Sequence, residues 1–222
     1  MEPTEAVLFD MEGTLVGFEW RLEEGEAALR DALLAVGFAP GVFAHDSYSS
    51  MWNRAVRMPD APVSEDELRA HLDPVYERYD LDASERWQLR PRAVETVERL
   101  RDRGLRLAVV SNIGSSALVA TLHALGLAHH FDVVLSRNDV RFMKPDPDGL
   151  GRALELLGVD KSRALFVGDS RTDVRAARAA GVRVAVIAGG ESDPLALEAD
   201  PPDHYLTSLS EVLEVLEDAG DT

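Results

Sequence analysis

The sequence predicts an α/β fold in which a doubly wound, mostly parallel sheet is covered by helices and interrupted by an inserted helical domain. Two observations support this prediction: apolar runs alternate with amphipathic segments along most of the 222 residues, and one long interval breaks that rhythm. The runs are nearly continuous in Val, Leu, Ala and Ile, which is typical of strands buried on both faces. We therefore expect a sheet domain with a helical insertion.

The regular part of the chain contains five predicted strands. They are AVLF, LRLAVVS, FDVVLS, ALFVGD and VRVAVIA, at 6–9, 105–111, 131–136, 164–169 and 182–188. Amphipathic patterns predict helices at about 92–103, 115–125, 148–157 and 171–180, and a last helix behind Ser210. Each of the four is followed by a glycine, which is a common C-terminal signal.

The interval from about 15 to 88 has a different character. It holds helical patterns at 21–38 and 64–80, no convincing strand, and all three tryptophans of the chain. We therefore predict that residues 1–14 and 89–222 form one core and that 15–88 form a separate helical unit.

Composition excludes several classes of partner. The formal net charge of −17 opposes binding to nucleic acid or to anionic membranes, which attract clustered Lys and Arg. No apolar run approaches the roughly 20 residues that span a bilayer, and the chain has no cysteine and no basic leader followed by an apolar stretch. We expect a cytoplasmic protein, either monomer or homodimer, that acts on a small molecule without a membrane or nucleic-acid partner.

Polar residues follow the predicted strands where each strand ends. In a doubly wound sheet, ligands bind outside the carboxyl ends of the strands. The residues at these positions are therefore the candidates for catalysis and ligand binding. They are Asp10 and Glu12 after the first strand, Ser111 and Asn112 after the second, Lys144 in the loop past the third, and Asp169 and Asp173 after the fourth.

The lysine in this set is unusual for the chain. Only Lys144 and Lys161 are lysines, and every other basic residue apart from histidine is arginine. Because an ammonium and a guanidinium are not interchangeable at a crowded site, a lysine here suggests that a compact cation is required.

Four short motifs in this order resemble those of the haloacid dehalogenase superfamily. They are DMEGT, VVSN, KP and GDSRTD. Each motif alone is weak, but four in order, three at strand ends and one in a loop past a strand, are specific. The resemblance implies a Rossmann-like catalytic core made of 1–14 and 89–222, with 15–88 as the helical cap that governs substrate specificity.

The resemblance also implies a phosphatase site. Asp10 would be the nucleophile that forms an acyl-phosphate intermediate, and Ser111 and Lys144 would contact the phosphoryl oxygens. A divalent cation would reduce the repulsion between the carboxylate and the phosphoryl group. By resemblance this ion is Mg²⁺, and its expected ligands are Asp10, the backbone carbonyl of Glu12 and Asp169, with Asp173 supporting them. Thr14, which would pin the turn after the first strand, and Asn112 are predicted to help bind the substrate.

Glu12 departs from the family pattern. Most phosphatases of this family have Asp at this position, as general acid toward the leaving group and then as base toward water. Glu carries the same group on a longer stem, and about 1 Å of misplacement can cost about 100-fold in rate. We expect either a pocket shaped to fit Glu12 or a reduced turnover. Glu also occurs here in the enolase-phosphatase branch of the family.

Other activities of the superfamily fit less well or stay open. Hydrolytic dehalogenases carry an aromatic residue in place of Glu12 and need no metal, and phosphonatases need a cap lysine, whereas this chain has no lysine before Lys144. A phosphomutase uses the same core and stays open, as does a catalytically impaired binding protein.

The insertion should determine which phosphorylated metabolite is bound. A sugar phosphate, phosphoglycolate and a nucleoside monophosphate are the candidates. Arg54 and Arg57 are predicted to bind a second anionic group of the substrate. The candidates for lining the pocket are Trp20, Arg21, His45, Tyr48 and Trp52.

Overall fold

The computed structural model describes residues 3–192 and 194–218, and the ends of the predicted core, 1–2 and 219–222, lie outside this part of the chain. Six parallel strands form one sheet in the order β3-β2-β1-β4-β5-β6. The doubly wound α/β fold predicted from the sequence is therefore confirmed. The strands are β1 (Ala6–Phe9), β2 (Arg106–Val110), β3 (Val133–Leu135), β4 (Ala164–Gly168), β5 (Arg183–Ile187) and β6 (His204–Leu206).

Helices connect successive strands, as parallel pairing requires. Among them, α6 and α7 end at Gly158 and Gly181, whose φ angles of 65° and 74° are accessible to glycine without strain. The helices are α1 (Leu22–Ala35), α2 (Tyr48–Arg57), α3 (Glu65–Ser84), α4 (Ala93–Asp102), α5 (Ser115–Ala124), α6 (Asp148–Leu157), α7 (Arg171–Ala180), α8 (Pro194–Leu197) and α9 (Glu211–Asp218).

Two strands differ from the sequence prediction. β3 is only three residues long, because the chain before it closes a short 3-10 turn at Ala128–His130. β6 was not predicted, since three residues next to two prolines carry little strand signal. It pairs with β5 at the edge of the sheet. Neither difference alters the strand ends that matter for the site.

The two faces of the sheet pack against different partners. Val7 and Phe9 of β1 belong to a core cluster that also contains cap residues such as Leu29, whereas Ala6 and Leu8 belong to a second cluster with α6 and α7. All four β1 residues are fully buried. Burial on both faces explains why the strand is apolar throughout rather than alternating.

Three helices, α1 to α3, lie within the interval 15–88 that was predicted to be a helical unit. α2 was not among the predicted helices, although Ser47 caps it by accepting a hydrogen bond from the backbone N–H of Ser50. Val16 and Leu89 pair in an antiparallel bridge, so the two crossings between insertion and core lie side by side. The domain boundaries themselves stay a prediction.

A buried ion pair joins the cap to the core. Asp80 on α3 and Arg137 in the loop after β3 are 2.8 Å apart, and their side chains are 2% and 5% exposed. Asp80 also accepts hydrogen bonds from the Trp20 indole at 3.1 Å and from the Gly114 backbone at 2.9 Å. Arg137 donates to the carbonyl of Asn112 at 3.1 Å. The cap is thus bonded to the loop that follows β2.

No helix within the two described ranges is both long enough and apolar enough to cross a bilayer.

Candidate active site

Three carboxylates meet at the carboxyl ends of β1 and β4, the two central strands. Phe9 lies level with Val167 in the sheet, so Asp10 and Asp169 leave the sheet one and two residues later at the same edge. The backbone N–H of Asp10 donates to the carbonyl of Val167 at 2.9 Å. Oxygen atoms of Asp10, Asp169 and Asp173 lie within 4.8 Å of one another, and all three residues are buried. This is the edge where ligands of doubly wound sheets bind.

Lys144 is the cation of this cluster. Its Nζ lies 2.7 Å from Oδ1 of Asp10 and 2.7 Å from Oδ1 of Asp173, and its side chain is 4% exposed. Burial lowers the pKa of Lys144, but the two carboxylates outweigh burial and raise the pKa above its ordinary value. Lys144 is therefore a fixed positive charge beside Asp10.

Asp173 holds its neighbours through both of its oxygens. Oδ2 accepts hydrogen bonds from the Ser170 hydroxyl at 2.7 Å and from the backbone N–H of Ser170 at 3.0 Å. Oδ1 accepts a hydrogen bond from the Lys144 ammonium. Ser170 in turn caps α7, accepting from the backbone N–H of Asp173. The main contribution of Asp173 in this structure is to position Lys144 and the start of α7.

Asp169 lies in a narrow cradle of backbone. A Cβ placed on Gly13 or Gly190 would come within 2.2 Å or 2.1 Å of its Oδ2, and Gly13 also has a φ of +82°. Only glycine fits either position without displacing the carboxylate. The Thr14 hydroxyl donates to Oδ1 at 3.0 Å, and the backbone N–H of Glu191 donates to Oδ2 at 2.6 Å.

That contact corrects the role predicted for Thr14. Its side chain is fully buried, and its hydroxyl is committed to Asp169 rather than facing the pocket. Thr14 therefore fixes the turn and the Asp169 carboxylate and is not placed to bind a substrate.

The carboxylate cluster is electrostatically unbalanced. Burial raises the pKa of Asp10 to about 6 even though Lys144 opposes the shift, and burial, with Asp173 and Asp10, raises that of Asp169 well above its ordinary range. Three carboxylates facing one lysine attract a further cation, and oxygen donors are what Mg²⁺ prefers. The residues present therefore fit a divalent metal ion, with Asp10 and Asp169 as its best-placed side-chain ligands.

Glu12 is held by two residues from the two ends of the insertion. Its Oε1 accepts from the Trp87 indole at 2.8 Å and from the backbone N–H of Glu19 at 2.9 Å. Burial raises the pKa of Glu12 to about 7 although both donors lower it. A carboxyl group with this pKa can both give and accept a proton near neutral pH.

The loop carrying Lys144 is held by two asparagines. Asn112 accepts from the Lys144 backbone N–H at 2.9 Å and donates to its carbonyl at 3.1 Å. Asn53 on α2 makes the same pair of bonds with Met143, at 2.9 Å and 2.7 Å. Core and cap therefore position Lys144 together. Ser111 lies beside this loop, and its hydroxyl accepts from the backbone N–H of Ile113 at 3.3 Å.

These residues surround a narrow pocket. Five of the predicted catalytic and metal-binding residues line it directly, and Asp169 lies behind them. Asn112 also reaches the pocket and donates to the Tyr48 hydroxyl at 3.4 Å. The described residues that line it are Asp10, Glu12, Phe18, Tyr48, Ser111, Asn112, Ile113, Lys144, Ser170, Thr172, Asp173 and Glu191.

Glu191 is the one carboxylate in the described pocket lining that the sequence did not predict. It follows β5 after two glycines, and burial raises its pKa to about 7. Its charge helps to raise the pKa of the Tyr48 phenol, after burial of that phenol. The glycine pair directly after a strand was the available signal, since such glycines let backbone approach a site closely.

The structure does not bring Arg54 and Arg57 to the pocket. Arg54 donates to the Val42 carbonyl at 2.8 Å and pairs with Asp46 at 2.8 Å. Arg57 pairs with Asp146 and lies over the ring of Phe142, 3.8 Å from its centroid. Both guanidinium groups are about half exposed and neither lines the pocket, so this arrangement gives no support to their predicted binding of a second anionic group, which stays a prediction.

Of the other cap candidates, only Tyr48 lines the pocket. The indole N–H groups of Trp20 and Trp52 donate to Asp80 and to the Arg141 carbonyl, respectively. Arg21 and His45 are exposed at the surface. The hydrogen bonds of the two tryptophans therefore hold the fold together and do not point to the pocket.

Comparisons with known proteins agree with this geometry. The family described as "Hydrolase: haloacid dehalogenase-like hydrolase" matches residues 4–181. Phosphoglycolate phosphatase of Escherichia coli (strain K12) is 30% identical over 237 aligned positions, covering 97% of this chain and 93% of that protein. The haloacid dehalogenase-like hydrolase domain-containing protein 3 of Bos taurus is 38% identical over 140 residues, 62% of this chain and 55% of that protein.

A solved structure shows the same fold. It is a haloacid dehalogenase-like hydrolase from Bacteroides fragilis, with a TM-score of 0.67 and 22% identity, covering 94% of this chain and 99% of that one. The matched family and the full-length relative agree with the strand-end carboxylates and the lysine described above. The chain therefore belongs to the haloacid dehalogenase-like hydrolases and is a hydrolase of the phosphatase type.

Proposed function

We propose that this protein is a Mg²⁺-dependent phosphatase that hydrolyses a small phosphorylated metabolite through an aspartyl-phosphate on Asp10. The observation that carries the proposal is that Asp10 and Glu12, two positions apart at one strand end, line the same narrow pocket, with Lys144 2.7 Å from Asp10. A nucleophile, a proton donor and a cation are thus brought to one point.

The reaction follows in two displacements. An oxygen of Asp10 attacks phosphorus, the ester P–O bond breaks, and the leaving oxygen takes a proton from the Glu12 carboxyl group. Water then gives a proton to the Glu12 carboxylate as it attacks phosphorus, which releases inorganic phosphate and restores Asp10. The raised pKa of Glu12, about 7, supports both roles at neutral pH.

Lys144 and Ser111 are proposed to hold the phosphoryl oxygens. The Lys144 ammonium lies beside Asp10 and is kept there by Asp173 and by the two asparagine clamps on its loop. A compact cation at this point would counter charge as it builds up on the transferring group. The Ser111 hydroxyl lines the same pocket and has its own proton to donate.

Asp10 and Asp169, with the backbone carbonyl of Glu12, are the proposed Mg²⁺ ligands, and Asp173 supports them. A bound Mg²⁺ supplies charge neutralisation between the nucleophile and the phosphoryl group. The unbalanced carboxylate cluster and the glycine cradle around Asp169 support this assignment.

The substrate is proposed to be small, because the pocket between the strand ends and the cap is narrow. Relatives of this chain include proteins named phosphoglycolate phosphatase and pyrophosphatase PpaX, the latter from Bacillus pumilus and 28% identical. Both names denote small phosphorylated substrates.

The test is hydrolysis of p-nitrophenyl phosphate by the purified protein with Mg²⁺ and after chelation with EDTA. We expect turnover only with Mg²⁺, its loss in Asp10→Asn, and its retention in Asp60→Asn, a matched change at an exposed aspartate. Equal activity after chelation would contradict the metal requirement. Halide release from a 2-haloacid, without phosphoester hydrolysis, would contradict the phosphatase assignment.

A further inference from the structure

The pocket contains more negative charge than phosphoryl transfer uses. Four carboxylates line it, those of Asp10, Glu12, Asp173 and Glu191, and Lys144 is the only lysine or arginine among the described residues that do so. Lys144 is already paired with Asp10 and Asp173. The pocket wall therefore offers no free cation to a second anionic group of a substrate.

Glu191 has no assigned part in the two displacements. Its backbone N–H holds Asp169, but its side-chain carboxylate accepts no hydrogen bond from any residue in the part of the chain that the structure describes. It is half-buried and lines the pocket together with Tyr48 of the cap. A carboxylate in such surroundings needs a donor or a cation as partner.

Tyr48 complements this carboxylate. Its hydroxyl accepts a hydrogen bond from Asn112 at 3.4 Å and retains its own proton to donate. Glu191 and Tyr48 therefore present an acceptor and a donor to whatever part of a substrate extends past the phosphoryl group toward the cap.

We propose that Glu191 is a specificity-determining residue that selects substrates whose leaving group carries a hydroxyl or ammonium donor and rejects leaving groups that carry a carboxylate. This inference rests on the proposed phosphatase function and narrows its substrate class to phosphate esters of alcohols that carry a further hydroxyl or an ammonium group. Above about pH 7, where Glu191 is ionised, its charge in a narrow pocket is poorly screened, so it repels a second carboxylate and attracts a donor. A buried polar group that only one substrate satisfies also discriminates strongly against the other.

The experiment compares two esters with two-carbon leaving groups, phosphoethanolamine and phosphoglycolate, which differ in the charge at the far end. We expect kcat/KM of the wild-type protein with Mg²⁺ to favour phosphoethanolamine by about tenfold or more. Binding of both compounds to Asp10→Asn, measured by titration calorimetry, should show the same preference without turnover.

The variant Glu191→Gln should lower the phosphoethanolamine-to-phosphoglycolate ratio by about tenfold, in both kcat/KM and binding. Glu198→Gln, the same change at an exposed position on the same segment, should leave the ratio unchanged. A wild-type preference for phosphoglycolate, or no detectable binding of either compound, would overturn the inference even if Glu191→Gln failed to fold. An unchanged ratio in folded Glu191→Gln would overturn it as well.

Failure of the inference and failure of the phosphatase proposal are distinguishable. If p-nitrophenyl phosphate is hydrolysed with Mg²⁺ while phosphoglycolate is preferred, only the inference fails. If the wild-type protein hydrolyses no phosphoester at all, the proposed function fails.

Discussion

Two buried ion clusters in this protein differ in their balance of charge. At the cap–core junction, one arginine, Arg137, faces one aspartate, Asp80, and the remaining bonds of Asp80 come from the Trp20 indole and the Gly114 backbone. At the strand ends, one lysine, Lys144, faces Asp10 and Asp173, with Asp169 close behind. The first cluster balances one charge against the other, although Nε of Arg137 has no hydrogen-bond partner among the described residues, whereas the second has an excess of carboxylates.

The difference in charge balance indicates which cluster has a structural role and which one is suited to bind a ligand. A balanced buried pair fixes how two parts of the chain meet, and removing one partner leaves a bare charge. An unbalanced cluster is costly to fold, which the raised pKa values of Asp10 and Asp169 express, and it is ready to bind a cation. The following variants test this contrast.

The largest effect is expected for Asp10→Asn. The amide is a poor nucleophile, so phosphatase activity should fall by about 10⁴-fold or more. Because the change removes one negative charge from a crowded cluster, thermal stability of the metal-free protein should not decrease. Steady-state kinetics and a melting curve measure the two effects. Retained activity would show that Asp10 is not the nucleophile.

For Asp80→Ala we expect a loss of stability, the effect that Asp10→Asn should not have. It leaves Arg137 buried without its charge partner, and the free energy of unfolding should fall by about 3–5 kcal/mol. Urea denaturation measures this loss. Glu95→Ala breaks the exposed Arg92–Glu95 pair and serves as control, with little expected change. A cost for Asp80→Ala no larger than for Glu95→Ala would contradict the structural role of the cluster.

Glu12→Gln should affect catalysis in a way that depends on the leaving group. For an alkyl phosphate, kcat/KM should fall about 10²-fold or more, because the alkoxide needs a proton. The p-nitrophenolate ion leaves without a proton, so its ester should still give an initial burst matching the enzyme concentration. Stopped-flow absorbance records the burst. Loss of the burst together with alkyl turnover would mean that Glu12 is not the general acid.

The smallest effect concerns stability against pH. The pKa of Glu12 rises from 4.5 to about 7 on folding, so the folded protein binds the proton more tightly than the unfolded chain does. The free energy of unfolding of the metal-free protein should therefore decrease as pH rises from about 5 to 8. Glu12→Gln should remove about 2 kcal/mol of that decrease, and Glu198→Gln should remove none. An identical pH slope in Glu12→Gln would contradict the burial of a titrating Glu12.

The sequence was informative about the strand ends for a simple physical reason. The carboxyl ends of parallel strands share one edge, so Asp10, Ser111 and Asp169 had to meet once the strands were identified. The nearly continuous apolar runs identified five of the six strands. Neither inference required knowledge of any side-chain contact.

The cap and the pocket rim were less predictable, because long-range contacts decide them. Glu12 accepts a hydrogen bond from Trp87, 75 positions away in sequence, and no local sequence pattern around Glu12 predicts that bond. Arg54 and Arg57 found partners in Asp46 and Asp146 instead of a ligand. In the sequence Glu191 resembles an ordinary loop residue, and only its position after β5 in the folded chain brings it to the rim of the pocket.

The most direct test of the central claim is to look for the phosphoenzyme itself. Wild-type protein turning over a phosphoester with Mg²⁺ would be quenched in acid, digested and examined by mass spectrometry. We expect a phosphoryl group on the peptide that contains Asp10 and none on that peptide in Asp10→Asn. A protein that hydrolyses the ester at full rate but carries the phosphoryl group on another residue, or on none, would contradict the account.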